Sequence, residues 1–111
     1  MKSLNELLNT FWGSVVTSLI YDPLLHQVVI LVETEDAGIR SNFKLTFLKV
    51  FTLNIFTDDP GNTWDYLELT SINAKKTRDK VEIYAELWTS ESGFKILCEE
   101  LLIKEVDPKN I

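Results

Sequence analysis

The sequence predicts an α+β domain that is mostly β, with one short N-terminal helix packed on an antiparallel, strongly bent sheet or sandwich of about seven strands. Three observations support this class. Apolar and polar residues alternate with a period of two along several segments, turn residues separate these segments at short intervals, and helical spacing appears near the N-terminus. The 111 residues are expected to form a single domain, residues 1–111, which can bury a core without a metal or a disulfide.

Composition narrows the class of partner. Eleven basic residues against seventeen acidic ones give a net charge of −6, which argues against nucleic acid. Cys98 is the only cysteine, and the N-terminus lacks the features of a secretory signal. The most apolar window, residues 24–32, is too short to cross a bilayer. We therefore expect a cytoplasmic protein that binds neither nucleic acid nor a membrane.

A short helix is predicted at the N-terminus. Ser3 followed by Glu6 fits a capping box, and Gly13 fits a helix stop. Apolar residues recur between them at helical spacing: Leu4, Leu7, Leu8 and Phe11. So short a helix is unstable alone, so its leucine stripe is expected to pack on the domain. The alternative is that the stripe binds a partner.

The next two segments predict a pair of strands. Residues 14–21 are rich in β-branched side chains and end at Asp22-Pro23, which favours a turn. Residues 26–34 are apolar on both faces, which predicts a central strand covered on both sides. Residues 35–38 form the following turn, in which Gly38 can adopt a positive φ.

The longest strand-like segment runs from Asn42 to Phe56 and is central to the predicted fold. Its two halves alternate as strands do, but the pattern fails at residues 48–50, where Lys49 takes an apolar position. At about 3.3 Å per residue the stretch would span about 50 Å, too long for one flat strand here. A β-bulge or bend at residues 48–50 is therefore expected, so that the stretch bends or forms two strands.

The remaining strands follow a strong loop signal at residues 57–62. Residues 64–72 and 81–89 read as strands that pair with one another, joined by a basic loop over residues 73–80. The loop holds four basic residues: Lys75, Lys76, Arg78 and Lys80. Residues 94–106 fit a helix or a strand, and a strand is favoured because a short Gly-containing loop precedes them.

Residue types needed for catalysis are scarce. His26 is the only histidine, and both His26 and Cys98 lie in apolar contexts that favour satisfied core residues. No zinc spacing, calcium loop or Gly-rich phosphate loop is present, and Glu99 and Glu100 point to opposite faces of a strand. We therefore expect a protein that is not an enzyme and has no metal site or cofactor. A reactive Cys98 would reverse this expectation.

One group of residues does suggest a binding surface, and it is acidic and aromatic. Pairing of the strands over residues 64–72 and 81–89 would place acidic and aromatic side chains on one face. Its predicted partner-binding residues are Trp64, Tyr66, Glu68, Glu82, Tyr84, Glu86 and Trp88, with Asp58 and Asp59 at the edge. The alternative is that Trp64 and Trp88 lie under the N-terminal helix.

The order of strands and aromatic residues resembles a known group of proteins. The succession comprises Phe11-Trp12-Gly13-Ser14-Val15-Val16, Tyr21-Asp22, Leu45-Thr46-Phe47-Leu48-Lys49-Val50 and Trp64-Asp65-Tyr66-Leu67-Glu68-Leu69. It is similar to small bacterial immunity proteins of toxin-immunity loci, including those of contact-dependent growth inhibition and related polymorphic toxins. The resemblance spans Phe11 to Val106 and includes no diagnostic motif.

The resemblance implies a cytosolic inhibitor that binds one cognate toxin domain, often a nuclease, and blocks its active site or substrate surface. The acidic composition agrees with this, because nuclease domains are commonly basic and an acidic partner can imitate their substrate. The alternative is a stand-alone scaffold or ligand-binding domain whose aromatic face stacks a small molecule or a carbohydrate. Binding through charge would weaken with salt, whereas stacking would not.

Overall fold

The computed structural model describes residues 3–56, 68–87 and 92–107. These residues form one helix, α1 (Leu4–Asn9), and eight strands. The strands are β1 (Val15–Asp22), β2 (Gln27–Asp36), β3 (Ile39–Leu48), β4 (Thr52–Phe56), β5 (Leu69–Thr77), β6 (Lys80–Leu87), β7 (Gly93–Cys98) and β8 (Glu100–Val106). The predicted class, one short helix with a mostly β body, is confirmed.

The strands form two antiparallel sheets of four strands each. The first sheet has the order β1-β2-β3-β8, and the second has the order β4-β7-β6-β5. Consecutive strands β1 to β3 and β5 to β7 are neighbours, as short turns require. The predicted pairing of the two strands that flank the basic segment is also confirmed, as β5 with β6.

Two long strands bend from one sheet into the other. The chain leaves the first sheet at Leu48 and enters the second at Thr52, and Lys49 between them has a φ of 53°. The pairing partner follows the same course, because β7 and β8 are separated only by Glu99. The Glu99 N–H donates to the Leu48 carbonyl at 3.1 Å, and the Phe51 N–H donates to the Leu97 carbonyl at 2.7 Å. The bend predicted at residues 48–50 is therefore confirmed.

The sheets meet a second time where β1 and β5 begin. The Gly13 N–H donates to the Leu69 carbonyl at 2.8 Å, and the Leu69 N–H donates to the Ser14 carbonyl at 2.7 Å. Val15 and Glu68 form an isolated antiparallel bridge beside these bonds. The sheets are thus joined at one end by the bent strands and at the other by this bridge.

The helix packs on β5, as its apolar spacing predicts. The Ser3 hydroxyl accepts the Glu6 N–H at 3.2 Å, which forms half of the expected capping box. Leu8 is completely buried, and Phe11 meets Phe43 edge to face with ring centroids 5.1 Å apart. No helix in the described part of the chain is long and apolar enough to span a bilayer.

The core lies between the two sheets. Its side chains alternate along each strand, as in β6, where Val81, Ile83, Ala85 and Leu87 are buried as predicted. Strand β2 is central in its sheet, but its outer residues Val29 and Leu31 are only half-buried. The predicted cover on both sides of β2 is therefore incomplete.

The predicted basic loop over residues 73–80 is wrong. Strand β5 continues to Thr77, and Arg78-Asp79 alone makes the turn, with Arg78 at a φ of 53°. Strand β5 lies at the edge of its sheet, where lysines are common because they deter pairing with another chain. Basic composition was therefore not evidence for a loop here. The strand prediction for residues 94–106 is confirmed, with the break at Glu99. Residues 64–67 of the predicted strand lie outside the described residues.

Candidate partner-binding surface

The predicted acidic and aromatic face is present in part on the outer side of the second sheet. Glu82, Tyr84 and Glu86 alternate along β6 with its buried residues. Tyr84 is 38% exposed, so the helix does not cover it. Five predicted residues lie outside the described part of the chain: Asp58, Asp59, Trp64, Tyr66 and Trp88.

The surroundings of Glu82 are of mixed charge. Its Oε1 atom lies 3.8 Å from Nζ of Lys95, and Lys75 stands opposite it on β5. Glu82 is therefore partly neutralised by its neighbours. The centre of this face is less acidic than the sequence predicted.

Tyr84 belongs to an aromatic pair. Its ring stacks on that of Phe56, with centroids 6.0 Å apart and planes inclined by 23°. The two strands that carry these rings lie on either side of β7, which presents Gly93 between them. A Cβ added to Gly93 would lie 3.0 Å from Cζ of Phe56. The missing side chain thus gives the ring room to lie across β7.

Glu68 lies beside the closing bridge. It is half-buried opposite Val15, and its Oε1 atom would lie 3.8 Å from a Cβ added to Gly13. It therefore packs against the chain that follows the helix. Glu68 is the link between the predicted face and a larger acidic surface that the sequence did not predict.

This larger surface, here called the acidic end, forms where the bridge joins the two sheets. It takes the last residues of β2, β6 and β8 and the residue before β5, because those termini lie at the same end as the bridge. Its acidic residues are Glu33, Glu35, Asp36, Glu68, Glu86, Glu105 and Asp107. Among the described residues of these termini and of the β2–β3 turn, the basic side chains are Arg40, which lies 3.8 Å from Glu33 and 3.7 Å from Glu35, and Lys104, which precedes Glu105 on β8.

Phe56 and Leu87 also lie at this end, and each is followed in the sequence by residues outside the described part of the chain. Residues 57–67 follow Phe56, the last residue of β4, and residues 88–91 follow Leu87, the last residue of β6. By sequence the two segments contain four acidic residues and no basic one: Asp58, Asp59, Asp65 and Glu91. They also contain the predicted aromatic residues Trp64, Tyr66 and Trp88.

The opposite end, here called the bend end, carries most of the basic residues of the second sheet. It comprises the bend at residues 48–51, Glu99 and the Arg78-Asp79 turn, together with the strand termini beside them. Lysines 49, 76 and 80 accompany Arg78 there. The molecule is thus electrically polarised, because carboxylates dominate one end while the other is of mixed charge.

An open cleft of about 430 Å³ lies at the bend end. It is lined by Leu25, His26, Lys49, Val50, Phe51 and Glu99. Lys49 and Glu99, which both line the cleft, form an ion pair with 3.3 Å between Lys49 Nζ and Glu99 Oε2. Lys80 Nζ lies 4.7 Å above the centre of the Phe51 ring, in the geometry of a cation–π contact.

The two candidate reactive residues lie in unlike environments. Cys98 is completely buried, which confirms it as a core residue, and burial raises its pKa to about 11. His26 is exposed at a turn with a φ of 50°, so the expectation of a core histidine is wrong. Within residues 3–56, 68–87 and 92–107, no three His, Cys, Asp or Glu side chains converge in a metal-binding group.

A scan against models of protein families finds no match to this chain. A search of curated proteins likewise finds none that is significantly similar.

Proposed function

We propose that this protein is an immunity protein that binds a basic toxin domain, most simply a nuclease, and neutralises it. The contact surface in this proposal is the acidic end together with Tyr84, Phe56 and residues 57–67 and 88–91. The concentration of carboxylates at the end where the two sheets join is the observation that carries the proposal.

Charge and area both favour such a contact. A cluster in which carboxylates outnumber basic side chains attracts a basic protein over about one Debye length and speeds its association. Standard interfaces bury about 800 Å² on each partner and use roughly 20 to 30 residues. In this proposal the acidic end forms part of a contact on that scale, with Tyr84 and Phe56 as aromatic anchors.

The interface should be sensitive to charge at one end of the molecule only. Reversing Glu86 and Glu105 changes one carboxylate in each sheet without breaking an ion pair recorded between described residues. Asp79→Lys is the control for each reversal made singly, because it makes the same change in charge as E86K or E105K alone, in the exposed turn at the bend end.

The experiment is coexpression with the protein domain encoded next to this chain, followed by stopped-flow association and equilibrium binding from 50 to 500 mM salt. We expect the dissociation constant to rise more than about tenfold over this range. E86K/E105K should slow association about tenfold and reduce the protection of cells that express the domain, whereas D79K should stay within about twofold of wild type. Equal effects of the two variants, or binding indifferent to salt, would remove the acidic end from the proposal.

A further inference from the structure

The outer face of the first sheet carries an apolar row that no described residue covers. The register aligns Ile20 with Val29, Val29 with Thr46, and Thr46 with Leu102, so the row crosses all four strands and is apolar on every strand except β3. Ile20 is 60% exposed and Leu102 is 46% exposed. Antiparallel sheets tolerate one solvated face, but that face is ordinarily polar.

The charges that flank this row are arranged with opposite signs. On β8, Glu100, Leu102 and Lys104 point outward, because Leu101 and Ile103 between them pack against the core. The carboxylate therefore lies on one side of the apolar row and the ammonium on the other. The outer face of β8 thus carries an acidic, an apolar and a basic side chain in succession.

The lysine side of the row contains a second lysine. Lys44 lies directly opposite Lys104 in the β3–β8 register. Neither lysine forms an ion pair with a carboxylate of the described residues. Like charges directly opposite one another disfavour a strand pair, and a carboxylate from outside would relieve this repulsion.

We infer that this face is the interface of a homodimer, with a second copy of the chain as its occupant. A two-fold axis along the apolar row places Ile20, Val29 and Leu102 against the same residues of the second copy. The same axis exchanges the two flanks. Lys104 then lies over Glu100 of the second copy, and the contact occurs twice.

The shape of the sheets allows this arrangement. A sheet with the usual twist is saddle-shaped, and rotation about an axis across its strands produces a surface of the same curvature, so the two faces nest. Four strands about 4.8 Å apart and seven residues long give an interface of roughly 1,200 Å² in total, at the lower limit of specific interfaces. The dimer is therefore expected to be weak and visible at tens to hundreds of micromolar.

Self-association fits the charge pattern better than an acidic partner does. An acidic segment would satisfy Lys44 and Lys104 but would oppose Glu100 on the other flank. A second copy pairs Lys104 on one flank with Glu100 on the other, and it leaves both acidic ends outside the interface. This dimer does not depend on the proposed toxin-binding function.

The test is sedimentation equilibrium of the full chain from 5 to 500 µM. We expect a monomer–dimer equilibrium whose dissociation constant rises about tenfold or more in E100K and in K104E, because each change places like charges together twice. The double swap E100K/K104E should restore the wild-type value within about threefold, since opposite charges meet again. No restoration, or variants that behave as wild type, would overturn the inference.

A change in the apolar row provides a second measurement. Leu102→Asp should leave a monomer at every concentration, whereas Leu24→Asp, at a 91% exposed leucine outside the row, should dimerise as wild type does. Unchanged thermal unfolding would confirm that both variants are folded. A wild-type chain that remains monomeric at 500 µM would refute the dimer, and cosedimentation of that monomer with phosphatidylglycerol vesicles would assign the row to a lipid surface instead.

Discussion

Gly93→Ala is expected to be among the most destabilising small substitutions in this protein. A Cβ added to Gly93 would lie 2.0 Å from the Ala85 carbonyl oxygen, a distance that real Cβ atoms do not adopt. It would also lie 3.0 Å from Cζ of Phe56. Because the carbonyl belongs to the neighbouring strand β6, relief requires β6 and β7 to separate by about 1 Å.

The size of the effect follows from two terms. Overpacking of an interior site costs about 1–3 kcal/mol, and loss of one or two backbone hydrogen bonds between β6 and β7 adds about 1 kcal/mol each. We therefore expect G93A to lower the free energy of unfolding by about 2–5 kcal/mol. For a domain of this size that is a large part of a total of about 5–15 kcal/mol.

Urea denaturation followed by circular dichroism measures this change, with Gly38→Ala as the control. Gly38 has a φ of 83° and no atom within 4 Å of an added Cβ, so only backbone strain of about 1 kcal/mol is expected there. A G93A variant within about 0.5 kcal/mol of G38A would refute the steric reasoning. It would mean that β7 shifts past β6 at little cost.

Two further predictions concern the helix and the core cysteine. The Asn5 amide makes two hydrogen bonds to the Ala74 backbone, at 2.7 and 2.9 Å. Asn5→Ala should therefore lower the free energy of unfolding, measured by urea denaturation, by about 1–2 kcal/mol. Asn9→Ala is the control and should lower it by less than about 0.5 kcal/mol. The pKa of Cys98 is about 11 in the folded protein against 9.0 for the free thiol, so the unfolded chain loses its proton first and stability should fall as pH rises from 9 to 11. Cys98→Ala should remove about 1.4 kcal/mol per pH unit of that dependence, and identical slopes in both proteins would contradict it.

The sequence predicted the fold well where one local signal dominated. Period-two alternation identified every buried position of β6, and the single misplaced Lys49 identified the bend between the sheets. The second bend, at Glu99, was missed although the inward positions change there from residues 94, 96 and 98 to residues 101 and 103. The sequence predicted a loop at Lys75 and Lys76 because consecutive lysines are typical of loops. A basic edge strand has the same composition, so composition alone does not distinguish the two.

The candidate surface was less predictable because it depends on which strand ends meet. Glu33 and Glu105 are separated by 72 positions and carry no shared motif, yet both strands end beside the bridge between Val15 and Glu68. Nothing local in the sequence indicates that contact. The opposite flanks of the apolar row, by contrast, could be read from Glu100, Leu102 and Lys104 once β8 was known to present them outward.

The bent strands also determine how the protein can come apart. Each sheet contains half of the same two continuous chain segments, β3 with β4 and β7 with β8, so neither sheet can separate as a folding unit of its own. Amide hydrogens in the inner strands of both sheets should therefore exchange through one common global opening. Binding of a partner at either end of the molecule should consequently slow amide hydrogen exchange throughout both sheets.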